Sequence, residues 1–333
     1  MAKFRRPIRR TVVSVLALVL VPYAFSRIAS SWRRVTVHAQ PSLDSSTAIA
    51  PSLRVACYNI AHGRGQSQSN WTGESRQTRK KRLDEIAELI KSVDADIVVL
   101  NEVDFDSSWS HSVNQAAYLA EAAGYPYRAE QRNLDFRVLF WTWRFGNAVL
   151  SRVPIHEAKT VDFPSYSMIE TVLAGKKRGL NCSVEFDGAR VSIAAVHLSH
   201  RSEAIRAKCT ELMTASILVG DFNSTPKGFP GTVTDNDEGN AIDRLDATSR
   251  FQRRPLNPPH KDTEMTYHSA APQSIIDWVL VSTDWHIADY QAVPSLLSDH
   301  RMVVAELIPV VTDMPSDQRP DLEQEHLDSR MKP

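Results

Sequence analysis

Carboxylate, carboxamide and imidazole groups recur in this sequence where short apolar runs end. Asn59 closes LRVACYN, Glu102 follows DIVVLN, and His197 closes SIAAVH. The same pattern holds around the last three apolar runs, which carry Asp221, Asn223, Asp277, Asp299 and His300. Because the ends of strands gather at one edge of a sheet, we expect these groups to converge across long gaps in the sequence.

The residue types indicate the chemistry of such a cluster. Carboxylates with an amide, and without cysteine ligands, suit a hard cation, Mg²⁺ or alternatively Mn²⁺. Two histidines and a further carboxylate add acid and base groups. A hard cation, a positioned base and hydrogen-bond donors are what hydrolysis of a phosphate ester requires. In an extended chain, Asp221 and Asn223 would point to the same side.

Seven motifs occur in a fixed order: YN, NEVD, GNAVLSR, VHL, GDFN, IDWVLVS and SDH. Over residues 53–310 this ordered set resembles the endonuclease/exonuclease/phosphatase superfamily of deoxyribonuclease-I-like hydrolases. The resemblance implies an α/β fold, a four-layer sandwich of two mixed β-sheets packed face to face with helices outside. It also implies a metal-dependent phosphoric ester hydrolase.

The resemblance assigns the metal site to matching positions. Glu102 resembles the principal metal ligand, and Asn59 and Asp299 resemble nearby ligands that bind directly or through water. The chain departs from the common pattern at Asn101, where a glutamine usually precedes the metal glutamate. The tyrosine that some nucleases of this superfamily place between the Glu and Asp motifs has no assigned counterpart.

The resemblance also assigns catalytic roles. Asp221 resembles the residue that orients or deprotonates the attacking water, and Asn223 and His197 resemble phosphate binders. His300 resembles the histidine that contacts the scissile phosphate, and Asp277 resembles the carboxylate that orients it.

Periodicity predicts a mixed α/β unit with one clear hairpin. We expect buried strands at 53–59, 94–104, 147–152 and 217–220, and two more after residues 274 and 300. Helices are expected from Thr78, over 113–123 before Gly124, and over 202–213. Asp187-Gly188 predicts the turn of a hairpin over 180–198. The three cysteines show no zinc-binding spacing and are expected in the core.

The N-terminus has the composition of a targeting segment. Five basic residues precede the uncharged stretch TVVSVLALVLVPYAF, residues 11–25. As a helix it would span about 22 Å, less than a bilayer core of about 30 Å. We therefore predict a signal peptide or membrane anchor over 1–31, with membrane association through 11–25 and a catalytic domain outside the cytoplasm. Cleaved and anchored forms both stay open.

Charge and composition complete the domain prediction. Residues 32–52 are expected to form a linker, 53–310 the catalytic domain and 311–333 an acidic disordered tail. Residues 1–40 hold eight basic groups and no acidic one, so residues 41–333 carry a net charge of −8. An acidic domain argues against tight, nonspecific binding of nucleic acid.

Several residues beyond the motifs have open roles. His62 follows Asn59 closely enough to reach the site, and His200 and Arg201 could touch substrate. The stretch FRVLFWTWRF, residues 136–145, could stack on bases, lie on a membrane surface or pack against the core.

Together these patterns predict a hydrolase of phosphate esters, specifically a phosphodiesterase acting on a phospholipid or small phosphodiester. An exported endonuclease or exonuclease, for which nucleic acid is the substrate, is the first alternative. A phosphomonoesterase and a non-catalytic binding module on the same fold are further alternatives. No protein partner is implied.

Overall fold

A computed structural model describes residues 2–31, 34–40, 51–173, 175–232 and 239–310. Its strands are β1 Val35–Ala39, β2 Leu53–Asn59, β3 Ile97–Asp104, β4 Tyr127–Val138, β5 Trp141–Ser151, β6 Ile155–Asp162, β7 Arg178–Phe186, β8 Ala189–His197, β9 Ile217–Asp221, β10 Phe251–Arg253, β11 Asp277–Ser282, β12 Trp285–Val293 and β13 Met302–Pro309. Its α-helices are α1 Ala2–Ser31, α2 Arg76–Ser92, α3 Gln115–Ala123, α4 Met168–Leu173, α5 Glu203–Thr210 and α6 Ala241–Ala247.

The strands form two mixed sheets. The first has seven strands in the order β1-β4-β5-β3-β2-β13-β12, and the second has six in the order β10-β11-β9-β8-β7-β6. Strands β2 and β3 run parallel in the first sheet, as do β8 and β9 in the second. The remaining neighbouring strands are antiparallel. Each sheet therefore has one parallel pair at its centre.

The core divides into three apolar layers because successive strand residues point to opposite faces. Val55 of β2 and Val219 of β9 share the layer between the sheets. On the outer face of the first sheet, Tyr58 packs in a cluster with helices α2 and α3. On the outer face of the second sheet, Leu218 packs in a cluster with helices α5 and α6. The predicted four-layer sandwich is confirmed.

Local signals fix several element ends, of which Gly124 and the turn at residues 187–188 were predicted and the cap of α2 was not. The Ser75 hydroxyl accepts from the Thr78 amide at 3.1 Å and caps α2, which satisfies a backbone donor that the helix leaves free. Gly124, at φ 81°, ends α3. Asp187 and Gly188 turn the chain between β7 and β8. The three cysteines are free and buried.

Other parts of the sequence analysis were wrong or incomplete. Residues 35–39, predicted as linker, form β1, which pairs antiparallel with β4. Strands β4, β6, β10 and β12 were not predicted. Strands β6, β10 and β12 lie at sheet edges, where exposed polar residues interrupt the apolar alternation, and β4 holds many polar and charged residues. Residues 136–145 form the end of β4, a turn and the start of β5. Residues 41–50 of the predicted linker and the predicted tail, 311–333, lie outside the described residues.

Helix α1 lies against the first sheet. The Tyr23 and Phe136 rings meet edge to face with centroids 5.5 Å apart, and the Ser26 hydroxyl accepts from the Arg137 amide at 2.7 Å. Among the helices in the described ranges, none combines the length and apolar character needed to cross a membrane. The signal peptide or anchor over 1–31 stays a prediction.

Gly220 of β9 is the glycine whose replacement we expect to cost most. Its φ is 137°, and an added Cβ would lie 2.1 Å from the Val196 carbonyl oxygen. Gly220→Ala should lower the free energy of unfolding by about 3 kcal/mol, from backbone strain and overpacking. Gly188→Ala is the control: it has φ 71° but open space around it, so about 1 kcal/mol is expected. Urea unfolding measures both, and equal losses would contradict the steric explanation.

Candidate active site

Three predicted catalytic residues lie side by side across the second sheet. Asp221 at the end of β9 is in register with His197 of β8 on one side and with Asp277 of β11 on the other. All three are at most 4% exposed. The three residues are aligned because the parallel strands β8 and β9 end at the same edge of the sheet, where the antiparallel strand β11 begins. The sheet thus places two carboxylates and an imidazole at one edge.

The first sheet meets this row through two asparagines. Asn59 and Asn101 are in register on parallel β2 and β3. The Asn59 amide donates to Asp221 Oδ2 at 3.1 Å, and the Asp221 backbone amide donates to Asn101 Oδ1 at 3.0 Å. Asn101 also donates to Asn147 Oδ1 at 2.9 Å. The residue that departs from the superfamily pattern therefore helps to join the two sheets.

A bulge in β3 directs Glu102 into the site. The pairing of β3 with β5 shifts register between Leu100 and Val103, and Glu102 has the left-handed φ of 51°. Such strain in a non-glycine residue persists only where the surroundings impose it, and it is frequent at functional sites. The Glu102 carboxylate lies 3.9 Å from His197 Nε2, which is 3.6 Å from Asp221. Glu102 and Asp221 therefore face the same site.

The carboxylates of Glu102 and Asp299 are suited to a divalent cation. One guanidinium, that of Arg64, donates to Glu102 Oε2 at 3.1 Å and to Asp299 Oδ2 at 3.0 Å. Oxygens that converge on one cationic group can equally converge on a hard metal ion. Asn59 Oδ1 accepts from the Ala61 amide at 3.0 Å, and its role as a ligand stays a prediction.

Cationic neighbours keep Glu102 ionised. Burial opposes ionisation of this carboxyl, but His62, Arg64 and Lys177 outweigh burial and hold its pKa well below the ordinary value. The carboxylate form is the one that a metal ligand needs. The role of Glu102 as a metal ligand stays a prediction.

His300 and Asp277 form a tight ion pair beside Asp221. His300 Nδ1 donates to Asp277 Oδ2 at 2.9 Å, and His300 Nε2 is 3.9 Å from Asp221 Oδ2. Burial favours the neutral imidazole, but Asp277 outweighs it and raises the pKa of His300 to about 10. These three side chains could also offer metal ligand atoms within 4.8 Å of one another. The hydrogen bond to Asp277 occupies His300 Nδ1 and leaves Nε2 facing Asp221.

The surroundings of Asp221 raise the pKa of its carboxyl group. Burial raises its pKa to about 7, with His300 opposing the rise and Asp277 adding to it. A carboxylate that titrates near neutral pH is suited to accept a proton from water.

Asn223 does not continue the extended chain that the sequence suggested. Its φ is 50°, so its side chain does not alternate with that of Asp221 as in a strand. Its backbone amide donates to Asp221 Oδ1 at 2.8 Å, and its side-chain amide donates to the Leu198 carbonyl at 3.2 Å. Asn223 thereby fixes the Asp221 carboxylate, while its contact with phosphate stays a prediction.

Lys177 is a site residue that the sequence analysis missed. Its ammonium lies 2.9 Å from His197 Nε2. Burial and Lys177 together lower the pKa of His197 well below its ordinary value, so this imidazole is neutral. The signal existed in the sequence: a hairpin turn at Asp187-Gly188 places the residues just before Gly179 opposite His197.

His62, whose role was open, does reach the site. Its Nδ1 lies 2.8 Å from Asp104 Oδ1 and its Nε2 lies 3.4 Å from Glu102 Oε2. Burial opposes protonation, but Asp104 and Glu102 raise the pKa of His62. His200 and Arg201 are exposed beyond the end of β8, and their contact with substrate stays a prediction.

In the metal-free protein, NMR of the imidazole nitrogens should show His300 protonated at pH 8 and His197 neutral at pH 6. The raised pKa of His300 means that its pair with Asp277 contributes stability below pH 6.5, which is lost as pH rises through about 10. Asp277→Asn should make His300 neutral at pH 8, whereas Asp284→Asn, a control at the far end of β11, should not. A neutral His300 in the wild type at pH 8 would contradict the pairing.

A known family model covers most of the chain. The family model described as Endonuclease/Exonuclease/phosphatase family matches residues 56–300. No curated protein sequence matches the chain.

Solved structures share the fold at low sequence identity. An endonuclease/exonuclease/phosphatase from Beutenbergia cavernae is 21% identical with TM-score 0.57, over 78% of this chain and 72% of that one. The Bacteroides thetaiotaomicron mannosyl-6-phosphatase Bt3783 is 17% identical with TM-score 0.55, over 77% and 100%. The human Nocturnin catalytic domain with bound sulfate anion is 17% identical with TM-score 0.53, over 83% and 97%. The chain belongs to the endonuclease/exonuclease/phosphatase family, whose members hydrolyse phosphoric esters.

Proposed function

We propose that the chain is a divalent-metal-dependent phosphodiesterase, acting outside the cytoplasm on a phospholipid or small phosphodiester. The observation that carries the hydrolase proposal is the surroundings of His197 Nε2. This nitrogen lies 3.9 Å from Glu102, 3.6 Å from Asp221 and 2.9 Å from the Lys177 ammonium. Anionic and cationic groups therefore alternate around one point where a phosphoryl group and a water can meet.

Asp221 and Glu102 have different roles because their environments give their carboxyl groups different pKa values. Asp221, with its pKa raised to about 7, accepts the proton of the attacking water. Asn59 and Asn223 hold the Asp221 carboxylate at 3.1 Å and 2.8 Å and so orient it. Glu102 stays ionised and, with Asp299, would hold a Mg²⁺ or Mn²⁺ ion. When bound, such an ion offsets negative charge on the phosphoryl oxygens.

Two further cations face the same space. Protonated His300 is held by Asp277 and presents its Nε2 side to Asp221. Lys177 lies beside His197; burial lowers the pKa of Lys177, whereas Glu102 and Asp221 favour its charged form. Fixed positive groups at the position of the phosphoryl oxygens stabilise the charge that develops there during hydrolysis.

Features outside the catalytic residues favour one class of substrate. The acidic net charge of residues 41–333 and the predicted N-terminal leader favour a phospholipid or small phosphodiester over nucleic acid. A nuclease is the first alternative. A phosphomonoesterase is also an alternative, because a protein of the same fold is named a mannosyl-6-phosphatase. The complete set of converging polar groups argues against a non-catalytic binding module.

Hydrolysis of bis-(p-nitrophenyl) phosphate tests the proposal. The wild type should release nitrophenol with Mg²⁺ or Mn²⁺ and stop with chelator. Glu102→Gln and Asp221→Asn should each lower kcat/KM by about 10³-fold, because they remove a metal ligand and the base. Asp284→Asn, remote from the site, should be unaffected.

Natural substrates separate the alternatives. Sphingomyelin or phosphatidylinositol cleavage supports a phospholipase-type phosphodiesterase, whereas plasmid nicking without lipid cleavage supports a nuclease. Release of phosphate from sugar phosphates alone would make the chain a phosphomonoesterase. Inactivity on all of these with every divalent metal would favour the binding module.

Lys177 should contribute through its charge. Lys177→Met should lower kcat/KM by about 10²-fold or more and weaken inhibition by inorganic phosphate, because a cation at the phosphoryl oxygens is lost. Lys177→Arg keeps the charge and should recover part of both. Lys176→Met is the control, because Lys176 pairs with Asp162 at 2.9 Å instead of His197. A Lys177→Met variant with normal phosphate inhibition would limit Lys177 to a structural role.

A further inference from the structure

Large apolar side chains are exposed on several sides of the active-site mouth. They come from four segments: the loop before α2, the β4–β5 turn with the start of β5, helix α4, and the loop before β13. We call this set the apolar rim, which comprises Trp71, Phe140, Trp141, Met168, Ile169 and Leu296.

The aromatic side of the rim is connected to the site by contacting rings. Trp109 lies 5.9 Å from His62 between ring centroids, and Trp71 lies 5.8 Å from Trp109. Trp141 follows at 5.6 Å from Trp71. Phe140 at the end of this series is 75% exposed. The series therefore extends from a neighbour of Glu102 to solvent.

The other two sides are tied to the site by polar contacts. On α4, Met168 and Ile169 are 81% and 72% exposed. The next residue, Glu170, accepts from the Ser199 hydroxyl, two residues beyond His197, at 3.4 Å.

On the third side, the Leu296 carbonyl accepts from Gln66 at 3.2 Å. Gln66 follows two residues after Arg64, and Leu296 precedes Asp299 by three. The apolar rim thus borders both the His197 side and the Asp299 side of the site.

A phosphate-binding site with an apolar border is suited to a surface that presents both phosphate groups and apolar groups. A phospholipid bilayer presents phosphates at its headgroups and apolar chains just below them. Tryptophan and phenylalanine favour that boundary, and exposed apolar patches generally mark interaction surfaces. Resting on the proposed function, we propose that the apolar rim docks on a phospholipid bilayer and admits headgroup phosphates to the active site.

Helix α1 supplies an independent argument for a lipid partner. It packs beside the β4–β5 hairpin through Tyr23 and Ser26, and Phe25 and Ile28, within one turn of these contacts, are exposed. The segment that precedes its uncharged stretch holds five basic residues and no acidic one. Basic residues next to apolar surface favour anionic bilayers. Bases of a single-stranded nucleic acid would match the aromatic side only.

An environment-sensitive fluorophore on single introduced cysteines tests the docking. Full-length Phe140→Cys and Met168→Cys report two sides of the rim, and the native Cys57, Cys182 and Cys209 are buried and so protected from the label. Ile308→Cys is the control, because Ile308 is 41% exposed at the opposite end of β13 from the site. Vesicles contain phosphatidylcholine with a minor fraction of phosphatidylglycerol, and metal is chelated.

Vesicles should increase the emission several-fold and shift it to the blue at residues 140 and 168, and leave residue 308 unchanged. No response at 140 and 168, a response at only one of them, or equal responses at all three positions would overturn the proposal. A response to single-stranded DNA instead of vesicles would overturn it in favour of base stacking. Because chelator blocks turnover, the result does not depend on whether the chain hydrolyses phosphodiesters.

Discussion

The hydrogen bonds between Asp221 and the two asparagines of the opposite sheet are the constraint on which the site depends. Asp221 belongs to the second sheet, whereas Asn59 and Asn101 belong to the first. Most of the layer between the sheets is apolar, and apolar contacts are not directional. The bonds at 3.1 Å and 3.0 Å are directional. They fix one sheet against the other at the edge where Glu102 must face Asp221 and His197.

Burial of so many ionisable groups is tolerated because their charges alternate. Asp277 pairs with His300, Asp104 with His62, and Arg64 bridges two carboxylates. An unpaired buried charge would cost several kcal/mol, about 3–5 when one partner is removed. The same alternation separates the protonation states: His300 is a cation, His197 is neutral, and Asp221 titrates near pH 7. Such different pKa values among neighbouring groups are typical of sites that transfer protons.

The groups differ in how they are held. His197, Asp221 and Asp277 are part of regular strands, so their positions follow from sheet register. The apolar rim comes from turns, loops and a short helix around them. This division fits a family in which a shared site treats the phosphate and surrounding segments select the rest of the substrate.

Apolar periodicity and turn residues predicted the strands that carry the site, the end of α3 at Gly124 and the hairpin at residues 187–188. These are local features, because apolar periodicity and turn chemistry act over a few residues. The sequence also identified the eight polar groups at the strand ends, and we inferred their convergence because strand ends gather at one edge of a sheet.

Long-range packing brings further groups into the site. Arg64 enters through salt bridges to residues distant in sequence, without a signal in the local sequence. The positions of Lys177 and His62 could be anticipated, but their contacts with His197 and Glu102 depend on the fold. The positive φ of Glu102 and Asn223 and the sheet-joining role of Asn101 likewise have no local signal. Strand pairing and the pairing of buried charges depend on contacts between residues distant in sequence. The packing of the two sheets determines these contacts, and neighbouring residues do not.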